Sequence, residues 1–311
     1  MLCTSPMAIL PQKATTIILL RERISGEFEV YLLKRHEKSS FMGGNYVYPG
    51  GRVDADDGLP DILPFCRGLS PQKAHLVLKN LKPAEESIGY WIAGIRELFE
   101  EAGVLFAYDQ AGNLFHPRGS DDQEKFSKSR TSIHRKELSF LQLLRRERLF
   151  LALDQLYYYA HWITPEARPE RFDTRFFLAR HPEGQEASHD QKETTVGIWI
   201  TPQQALEENL KGQIVLSPPT LKTLEDLARS RTIDEVIAPR GERETNPVLP
   251  VLAKVSDGPL LVFPWDPEYD LFQRGIFPQP LDHGCPSGPN DYSTRLLFKD
   301  GFWHPYCRPR Y

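Results

Sequence analysis

The chain's 311 residues, 40% of them apolar and 26% charged, fit a globular protein large enough to bury a sizeable core. Its formal net charge of −4 gives no general positive field, so nucleic acid and anionic membranes are not expected partners, and a phosphate-rich ligand needs a local metal or a few basic residues. The four cysteines are far apart with no CxxC pair, and no apolar run could span a bilayer. We expect a cytoplasmic protein with reduced thiols.

The first predicted elements are two strands joined by a turn. Residues 14–23 and 28–34 are rich in β-branched and aromatic side chains, and Ser25-Gly26-Glu27 between them predicts a hairpin. Strand character returns at 46–48 and stops at Pro49-Gly50-Gly51. The chain therefore opens with a hairpin, a short strand and a glycine turn.

Two helices are predicted next. Residues 55–70 are rich in Asp, Gly and Pro and indicate a loop, after which Ser70-Pro71 has the N-cap chemistry of a helix that runs to about Asn80. A second helix is expected from about Pro83 to Ala102, and the glycine that follows ends it.

The middle of the chain mixes polar segments with strands. Residues 117–134 are polar and predict a mobile segment, whereas 135–150 alternates charged and apolar residues at helical spacing and predicts a solvated helix. Strands are expected at 156–163 and 172–179, and a polar loop is expected over 181–194.

The last part contains a strand, two helices and a proline-rich tail. The strand is expected at 196–200, Thr201-Pro202 starts one helix, and 219–230 forms the other. From residue 246 the chain is proline-rich and ends in a hairpin that turns on Asp300-Gly301. The sequence does not show whether this hairpin closes a substrate site or forms a contact in a homodimer.

This order of strands and helices predicts a mixed sheet covered by helices on both faces. Hairpins and crossovers both occur, so periodicity alone leaves the fold class open between α/β and α+β. We expect one main domain over residues 1–245 and a C-terminal extension over 246–311.

The predicted helix that ends at Ala102 separates apolar from acidic residues. At about 100° per residue, its apolar side chains cluster on one side: Ile88, Trp91, Ile92, Ile95, Leu98, Phe99 and Ala102. Glu97, Glu100 and Glu101 lie on the other side. A solvated acidic face is one interpretation, because surface helices commonly carry such residues.

A bound divalent cation is the other interpretation of these glutamates. Negative charges near the C-terminal end of a helix oppose the helix dipole, and carboxylates three or four positions apart repel each other. Mg²⁺ or Mn²⁺ would remove both conflicts, because these ions prefer hard oxygen ligands and carboxylates at i, i+3 and i+4 can point toward one position.

The same stretch resembles the second half of the Nudix box. Residues 96–104, Arg-Glu-Leu-Phe-Glu-Glu-Ala-Gly-Val, match the pattern R-E-U-x-E-E-x-G-U, with U aliphatic, at every fixed position. Pro49-Gly50-Gly51 resembles the glycine turn that opens the box. Gly51 and Arg96 are 96 − 51 = 45 positions apart, where an uninterrupted box has 14, so 31 residues are inserted, at about 55–85.

The box glutamate expected eight residues before the arginine is missing, because Ile88 stands there, and Glu85 or Glu86 are candidates to replace it. An interrupted box resembles the branch of Nudix hydrolases that contains the peroxisomal coenzyme A diphosphatase. Three further stretches resemble that branch: Phe41 to Gly51, Arg171 to Phe177 and Val196 to Trp199. The resemblance covers roughly residues 12–270.

The resemblance implies a fold, a cofactor and a set of site residues. The fold would be a Nudix-type α/β/α sandwich of the α/β class with a mixed central sheet, and the cofactor Mg²⁺ or Mn²⁺. Glu97 and Glu101 would be the principal metal ligands, completed by Glu100 and the Gly50 carbonyl. Arg96 would orient the glutamates by charge-assisted hydrogen bonds, with a plain helix salt bridge as the alternative.

The reaction implied is hydrolysis of a nucleoside diphosphate linked to another group. Glu97, Glu100 and Arg96 would form the catalytic set with a general base from outside the helix. Glu193, in the polar loop before the strand at 196–200, is the candidate base, and nearby Asp190 is its competitor. A plain loop residue is the alternative role for Glu193.

Coenzyme A or acyl-coenzyme A is the favoured substrate. Coenzyme A diphosphatases of another Nudix branch carry a signature ending in G-x-x-x-F-P-G-G, which residues 44–51 resemble with Tyr48 in place of Phe. Lys34 and Arg35, with His36, are candidates to contact the 3′-phosphate, although an exposed basic strand end fits them equally. The insertion could cover an acyl or pantetheine arm, or simply pack on the body.

Two other functions stay open. A dinucleotide such as NADH, or a nucleotide sugar, is the alternative substrate. A catalytically inactive binding or regulatory module with the Nudix fold is the alternative from another class. The clustered carboxylates disfavour that module, whereas the missing glutamate at Ile88 favours it.

Overall fold

The computed structural model describes residues 9–39, 42–79, 85–190, 192–238, 245–277 and 292–306. The strands are β1 (Gln12–Glu22), β2 (Phe28–Arg35), β3 (Tyr46–Val47), β4 (Gly50–Arg52), β5 (Cys66–Arg67), β6 (Ala107–Tyr108), β7 (Phe150–Ala152), β8 (Tyr157–Ile163), β9 (Phe172–Arg180), β10 (Thr194–Ile200), β11 (Val251–Val255), β12 (Gly258–Val262), β13 (Arg295–Lys299) and β14 (Phe302–Tyr306). The predicted helix limits at Asn80 and Pro83, and all the cysteines except Cys66, lie outside the described residues.

The helices are α1 (Pro71–Leu78), α2 (Glu85–Ala102), α3 (Gly119–His134), α4 (Phe140–Glu147), α5 (Pro202–Leu210), α6 (Pro218–Leu227), α7 (Ile233–Ile237) and α8 (Tyr269–Gln273). Their starts follow the predicted caps where these were identified. Ser70, for example, accepts a hydrogen bond from the backbone N–H of Lys73 and begins α1, and Thr201 does the same for Gln204 in α5. Within the described part of the chain, no helix is long and apolar enough to cross a membrane.

A mixed seven-stranded sheet forms the centre of the fold. Its main path is β10-β2-β1-β9-β8, in which β1 and β9 are parallel and the other neighbours are antiparallel. The predicted hairpin joins β1 to β2 and pairs Glu22 with Phe28. This mixed sheet, covered by helices on both faces, confirms the predicted α/β class.

The short strands β3 and β4, on either side of Pro49, extend the sheet where β1 and β2 no longer pair with each other. β3 pairs with the end of β2, and β4 pairs with the start of β1, which places Gly50 opposite Thr16 and Gly51 opposite Thr15. The sequence predicts that the strand stops at Pro49, but β structure resumes at the next residue. Proline has no backbone N–H to donate, but the carbonyl oxygen of Pro49 accepts a hydrogen bond from the N–H of Ile17 at 2.9 Å, which keeps the chain beside β1.

Alternation along β1 divides the apolar side chains between two cores. Ile17 and Leu19 face the core that contains α2, whereas Ile18 and Leu20 face the opposite core beneath α5, α6 and α7. The apolar residues of α2 that were predicted to share one side are all buried in the first core. The catalytic helix candidate is therefore fixed along its whole apolar side.

The predictions for α3 and α4 need correction. Residues 117–134 were expected to be mobile, yet α3 occupies most of them and buries Phe126 and Ile133. Their apolar residues are too few to show a helical period, and the surfaces that bury them come from distant parts of the sequence. α4 is not simply solvated either, because Leu143 and Leu144 are fully buried.

The C-terminal residues form a separate four-stranded antiparallel sheet with the order β11-β12-β13-β14. Its last hairpin turns on Asp300 and Gly301, both at positive φ, as the sequence predicts. One face of this sheet joins the second core through Leu261, Leu296 and Trp303. The division into a domain ending at 245 and an extension stays a prediction, but the two parts share that core.

Candidate active site

The C-terminal half of α2 brings the predicted acidic residues against the glycine turn. The side chains of Glu97 and Glu100 are 16% and 15% exposed, and Glu101 is 4% exposed. The interpretation as a solvated acidic face is therefore wrong. Burying three carboxylates is costly unless each has a partner or a bound cation.

The glycine turn contacts two of these glutamates directly. The backbone N–H of Gly50 donates a hydrogen bond to the Glu101 carboxylate at 2.8 Å. A β-carbon on Gly51 would lie 2.4 to 2.6 Å from the carboxyl atoms of Glu97. A glycine at position 51 is therefore required for this close approach.

The electrostatics of this pair fit a divalent cation. Burial raises the pKa of Glu97 to about 7, although Arg96 acts to lower it. Burial, and then the charge of Glu97, raise the pKa of Glu101 well above its ordinary value. Two buried carboxylates with too little compensating positive charge offer the hard oxygen atoms that Mg²⁺ and Mn²⁺ prefer.

Arg96 connects the glutamates on the side away from the cavity. Its Nη1 donates to Glu97 at 2.8 Å and to Glu100 at 3.2 Å. Arg96 holds the carboxylates of Glu97 and Glu100, whereas the glycine turn holds that of Glu101. The three carboxylates therefore do not all point toward one position, although their helical spacing would allow it. Within the described ranges, no three acidic, histidine or cysteine side chains are grouped closely enough to form a ready metal cluster.

Asp57, which is not among the site residues predicted from the sequence, is the main partner of Arg96. The Nε and Nη2 atoms of Arg96 donate to the two carboxylate oxygens of Asp57 at 2.9 and 2.8 Å, and Asp57 is 2% exposed. Such a bidentate pair fixes the guanidinium in position and orientation. The residue lies in a 3₁₀ turn, Ala55–Gly58, inside a stretch that the sequence predicts as a plain loop.

The spacing also assigns Asp57 the place of the missing box glutamate. It stands 57 − 51 = 6 positions after Gly51, which equals the spacing of 14 − 8 = 6 between glycine and glutamate in an uninterrupted box. The inserted segment therefore follows Asp57. The spacing from Gly51 therefore marks this acid in the sequence, whereas the position eight residues before Arg96 is Ile88, which lies after the insertion.

Neither the position counted back from Arg96 nor Glu86, one of the two earlier candidates, supplies this acid. Ile88 is 1% exposed and packs in the core of α2. Glu86 forms an ion pair with Lys13 at the surface. The side chain of Glu85 lies outside the described residues.

Two side chains of α3 satisfy the C-terminal end of α2. Arg130 Nε and His134 Nε2 donate hydrogen bonds to the carbonyl oxygen of Glu100 at 2.7 and 2.8 Å. The guanidinium places positive charge at the C-terminal end of α2, where the helix dipole favours it. This charge partly compensates the negative charge of the glutamates near the same helix end. These contacts were not predicted from the sequence, because residues 117–134 were expected to be mobile.

A cavity of about 800 Å³ opens beside Glu97, Glu101 and the glycine turn. Its charged lining also includes Arg35, Arg52, Arg168 and Glu193. Much of the remaining wall is apolar and comes from distant parts of the chain, including Trp162, Phe172, Phe176, Leu252, Leu261, Phe298 and Trp303. The cavity thus joins an acidic site, several cations and an extended apolar wall.

The candidate base Glu193 and its competitor Asp190 have different surroundings. Glu193 is exposed and lines the cavity. Asp190 accepts hydrogen bonds from the N–H groups of Lys192, Glu193 and Thr194 and from the Thr194 hydroxyl. Although burial raises the pKa of Asp190, these hydrogen bonds hold it below its ordinary value. Asp190 therefore shapes the loop, and Glu193 is the carboxylate that faces the cavity.

The structure places two of the three substrate-binding candidates at the cavity. Arg35 lines it, and its buried Nε has no hydrogen-bond partner within the described part of the chain. Tyr48 also lines it but is 3% exposed, and its hydroxyl is hydrogen-bonded to Thr223 at 3.1 Å. Lys34 points to the other face of β2 and pairs with Glu37 at 2.9 Å.

The described part of the inserted segment, residues 55–79, does not reach the cavity. None of residues 55–79 is part of its lining. Ala74 and Leu78 are buried against α2, while Leu76 is 71% exposed. Residues 55–79 therefore pack on the body, which was one of the two roles expected for the insertion, and they do not contribute to the wall of the cavity.

Taken together, the acidic half of α2, the glycine turn that touches it and the mixed sheet between helical layers define a Nudix hydrolase. Residues 9–227 match the family model described as the NUDT19 Nudix domain. The chain belongs to that family.

Curated relatives are similar over most of their length. The acyl-coenzyme A diphosphatase NUDT19 of Xenopus laevis is 31% identical over 277 residues, which cover 79% of this chain and 72% of the relative. The human protein of the same name is 26% identical over 279 residues, covering 78% and 72%. A putative nudix hydrolase 7 of Caenorhabditis elegans is 25% identical over 252 residues, covering 81% and 72%.

Solved structures agree at the level of the fold. A NUDIX hydrolase from Alicyclobacillus acidocaldarius superposes with a TM-score of 0.60 and 22% identity, over 77% of this chain and all of that chain. This similarity supports the fold and leaves the substrate to be argued from the site.

Proposed function

We propose that the protein hydrolyses the diphosphate of coenzyme A or acyl-coenzyme A in the presence of Mg²⁺ or Mn²⁺. The products are 3′,5′-ADP and 4′-phosphopantetheine or its acylated form. The observation that carries this proposal is the buried pair Glu97 and Glu101 in the wall of a large cavity, at the glycine turn. The names of the relatives that align over most of their length support the choice of substrate.

The acidic residues have distinct tasks in this proposal. Glu97 and Glu101 would hold the cation, with the Gly50 carbonyl and Glu100 as further candidate ligands. When bound, a divalent cation would offset the charge of the diphosphate and lower the pKa of a water molecule. Arg96, held by Asp57, keeps Glu97 and Glu100 in place.

The remaining cavity residues act on the water and the substrate. Glu193 accepts a proton from the attacking water, whose oxygen forms a new bond to phosphorus while the bond to the bridging oxygen breaks. Arg35, whose buried Nε has no hydrogen-bond partner among the described residues, binds substrate phosphate. Lys34, on the opposite face of its strand, is the weaker candidate for that contact.

A substrate panel tests this proposal. The purified protein is incubated with Mg²⁺ and coenzyme A, acetyl-coenzyme A, NADH or a nucleotide sugar, and the products are identified by mass spectrometry. We expect 3′,5′-ADP and phosphopantetheine from the coenzyme A compounds at the highest rate. Preferred hydrolysis of NADH would reverse the choice of substrate, and no hydrolysis of any compound would favour an inactive binding module.

Two neighbouring glycines should respond differently to alanine. In Gly51→Ala, the new β-carbon displaces the end of the flexible Glu97 side chain, so we expect at least a tenfold loss of turnover with a nearly unchanged melting temperature. In Gly50→Ala, the β-carbon would lie 2.3 Å from the carbonyl oxygen of Thr15, so we expect a clear drop in melting temperature.

These variants are compared by initial rates and thermal unfolding. Gly58→Ala is the control, because a β-carbon there has no atom within 4 Å. Full activity in Gly51→Ala would show that the close approach to Glu97 is not needed for catalysis.

A further inference from the structure

The C-terminal sheet presents one apolar face to the cavity. The register pairs Leu252 with Leu261 on adjacent strands, and Phe298 with Trp303 in the last hairpin. All four of these side chains line the cavity, as do Pro250 and Pro259. The other face of the sheet packs against α8 in a small core of its own. The sheet is therefore covered on one side by its own helix and borders the active-site cavity on the other.

Among the described residues of this wall, Phe298 is less covered than Leu261 and Trp303. It is 36% exposed, whereas Leu261 and Trp303 are 5% and 8% exposed, and its ring centroid lies 5.1 Å from that of Trp303. An exposed aromatic side chain on the wall of a cavity that also holds the acidic site is positioned to contact a ligand. Truncating it should leave the packing beneath it largely intact.

The chemistry of the wall indicates which part of a ligand it contacts. The cations in the lining, Arg35, Arg52 and Arg168, all come from the part of the chain that forms the main sheet. The C-terminal sheet contributes leucine, proline and phenylalanine side chains, with the Trp303 indole as its one hydrogen-bonding group in the described lining. Phosphates and adenine need charged or hydrogen-bonding partners, whereas an alkyl chain needs apolar contacts alone.

On the basis of the function proposed above, we propose that the cavity face of the C-terminal sheet binds the acyl chain of the substrate. The C-terminal residues then determine the preference for acylated over free coenzyme A. This gives the last hairpin a role at the substrate site, one of the two roles that the sequence left open. The hydrolytic residues remain those of α2 and the glycine turn.

The test compares free coenzyme A with octanoyl-coenzyme A. We measure kcat/KM with Mg²⁺, and Kd by calorimetry in EDTA, for the native protein, Phe298→Asp and Leu114→Asp. Leu114 is also 36% exposed but does not line the cavity, so it controls for an added surface charge.

Each buried methylene favours binding roughly three- to fourfold, so the native protein should prefer octanoyl-coenzyme A at least tenfold in both measurements. In Phe298→Asp, kcat/KM and affinity should fall at least tenfold for octanoyl-coenzyme A and less than about twofold for free coenzyme A. Leu114→Asp should change neither quantity for either compound. Phe298→Ala, which adds no charge, should give the same order of effects if Phe298→Asp fails to fold.

Three results would overturn the inference. In the first, the native protein shows no preference for octanoyl-coenzyme A. In the second, the preference survives in Phe298→Asp and Phe298→Ala. In the third, both variants lose affinity for free coenzyme A as much as for octanoyl-coenzyme A, which would assign the wall to the nucleotide. Failure of the proposed function looks different. The native protein would then hydrolyse neither compound, while the calorimetric comparison would still report whether the wall binds the acyl chain.

Discussion

Replacing Glu101 with glutamine is expected to reduce diphosphate hydrolysis by at least about a hundredfold, because a cation that stabilises the transition state by several kcal/mol loses a principal ligand. The fold should survive. Glutamine can still accept the hydrogen bond from the Gly50 N–H, and it removes a buried carboxylate whose pKa is raised by burial. The melting temperature should therefore stay the same or rise, as is common when a strained active-site charge is neutralised.

Rates are measured with coenzyme A at saturating Mg²⁺, and unfolding is followed by circular dichroism. Glu207→Gln is a suitable control, since Glu207 is an exposed glutamate on α5. Unchanged turnover in Glu101→Gln would refute the role assigned to this carboxylate.

Replacing Asp57 with asparagine should have the second-largest effect, and it should affect both stability and rate. Arg96 is 9% exposed, and without the Asp57 charge its guanidinium loses the main compensation for its burial. Breaking a buried ion pair in this way costs about 3 to 5 kcal/mol of unfolding free energy, and loss of a residue that orients metal ligands costs about 10- to 100-fold in activity.

Chemical denaturation and initial rates measure the two effects of Asp57→Asn. Asp56→Asn provides the matched control, because Asp56 is the exposed neighbour in the same 3₁₀ turn. If Asp57→Asn and Asp56→Asn behaved alike, Asp57 would not hold Arg96 in the way that the geometry indicates.

The sequence correctly predicted those structural elements that depend on residues close together in the chain. The hairpin of β1 and β2, the caps at Ser70 and Thr201 and the buried side of α2 all follow from residues within one turn or one strand. The hairpin at Asp300-Gly301 belongs to the same group, because the turn needs positive φ at both positions.

The failures involve contacts between distant segments. α3 could not be recognised from its own composition, because it is held by contacts with a distant segment: Arg130 and His134 donate hydrogen bonds to the end of α2. Asp57 is separated from Arg96 by the insertion, so no local pattern connects them, and only its spacing from Gly51 marks it. The apolar wall from the C-terminal sheet depends likewise on how the last strands pack beside the main sheet.

Binding of Mn²⁺ to the native protein and to Glu97→Gln and Glu101→Gln tests the central claim most directly. The free-ion signal in electron paramagnetic resonance is titrated in the presence of 3′,5′-ADP, with Glu207→Gln as the control. We expect saturable Mn²⁺ binding to the native and control proteins, and binding at least about tenfold weaker in each active-site variant. Equal Mn²⁺ binding by all four proteins would contradict the claim that these buried carboxylates hold the cation.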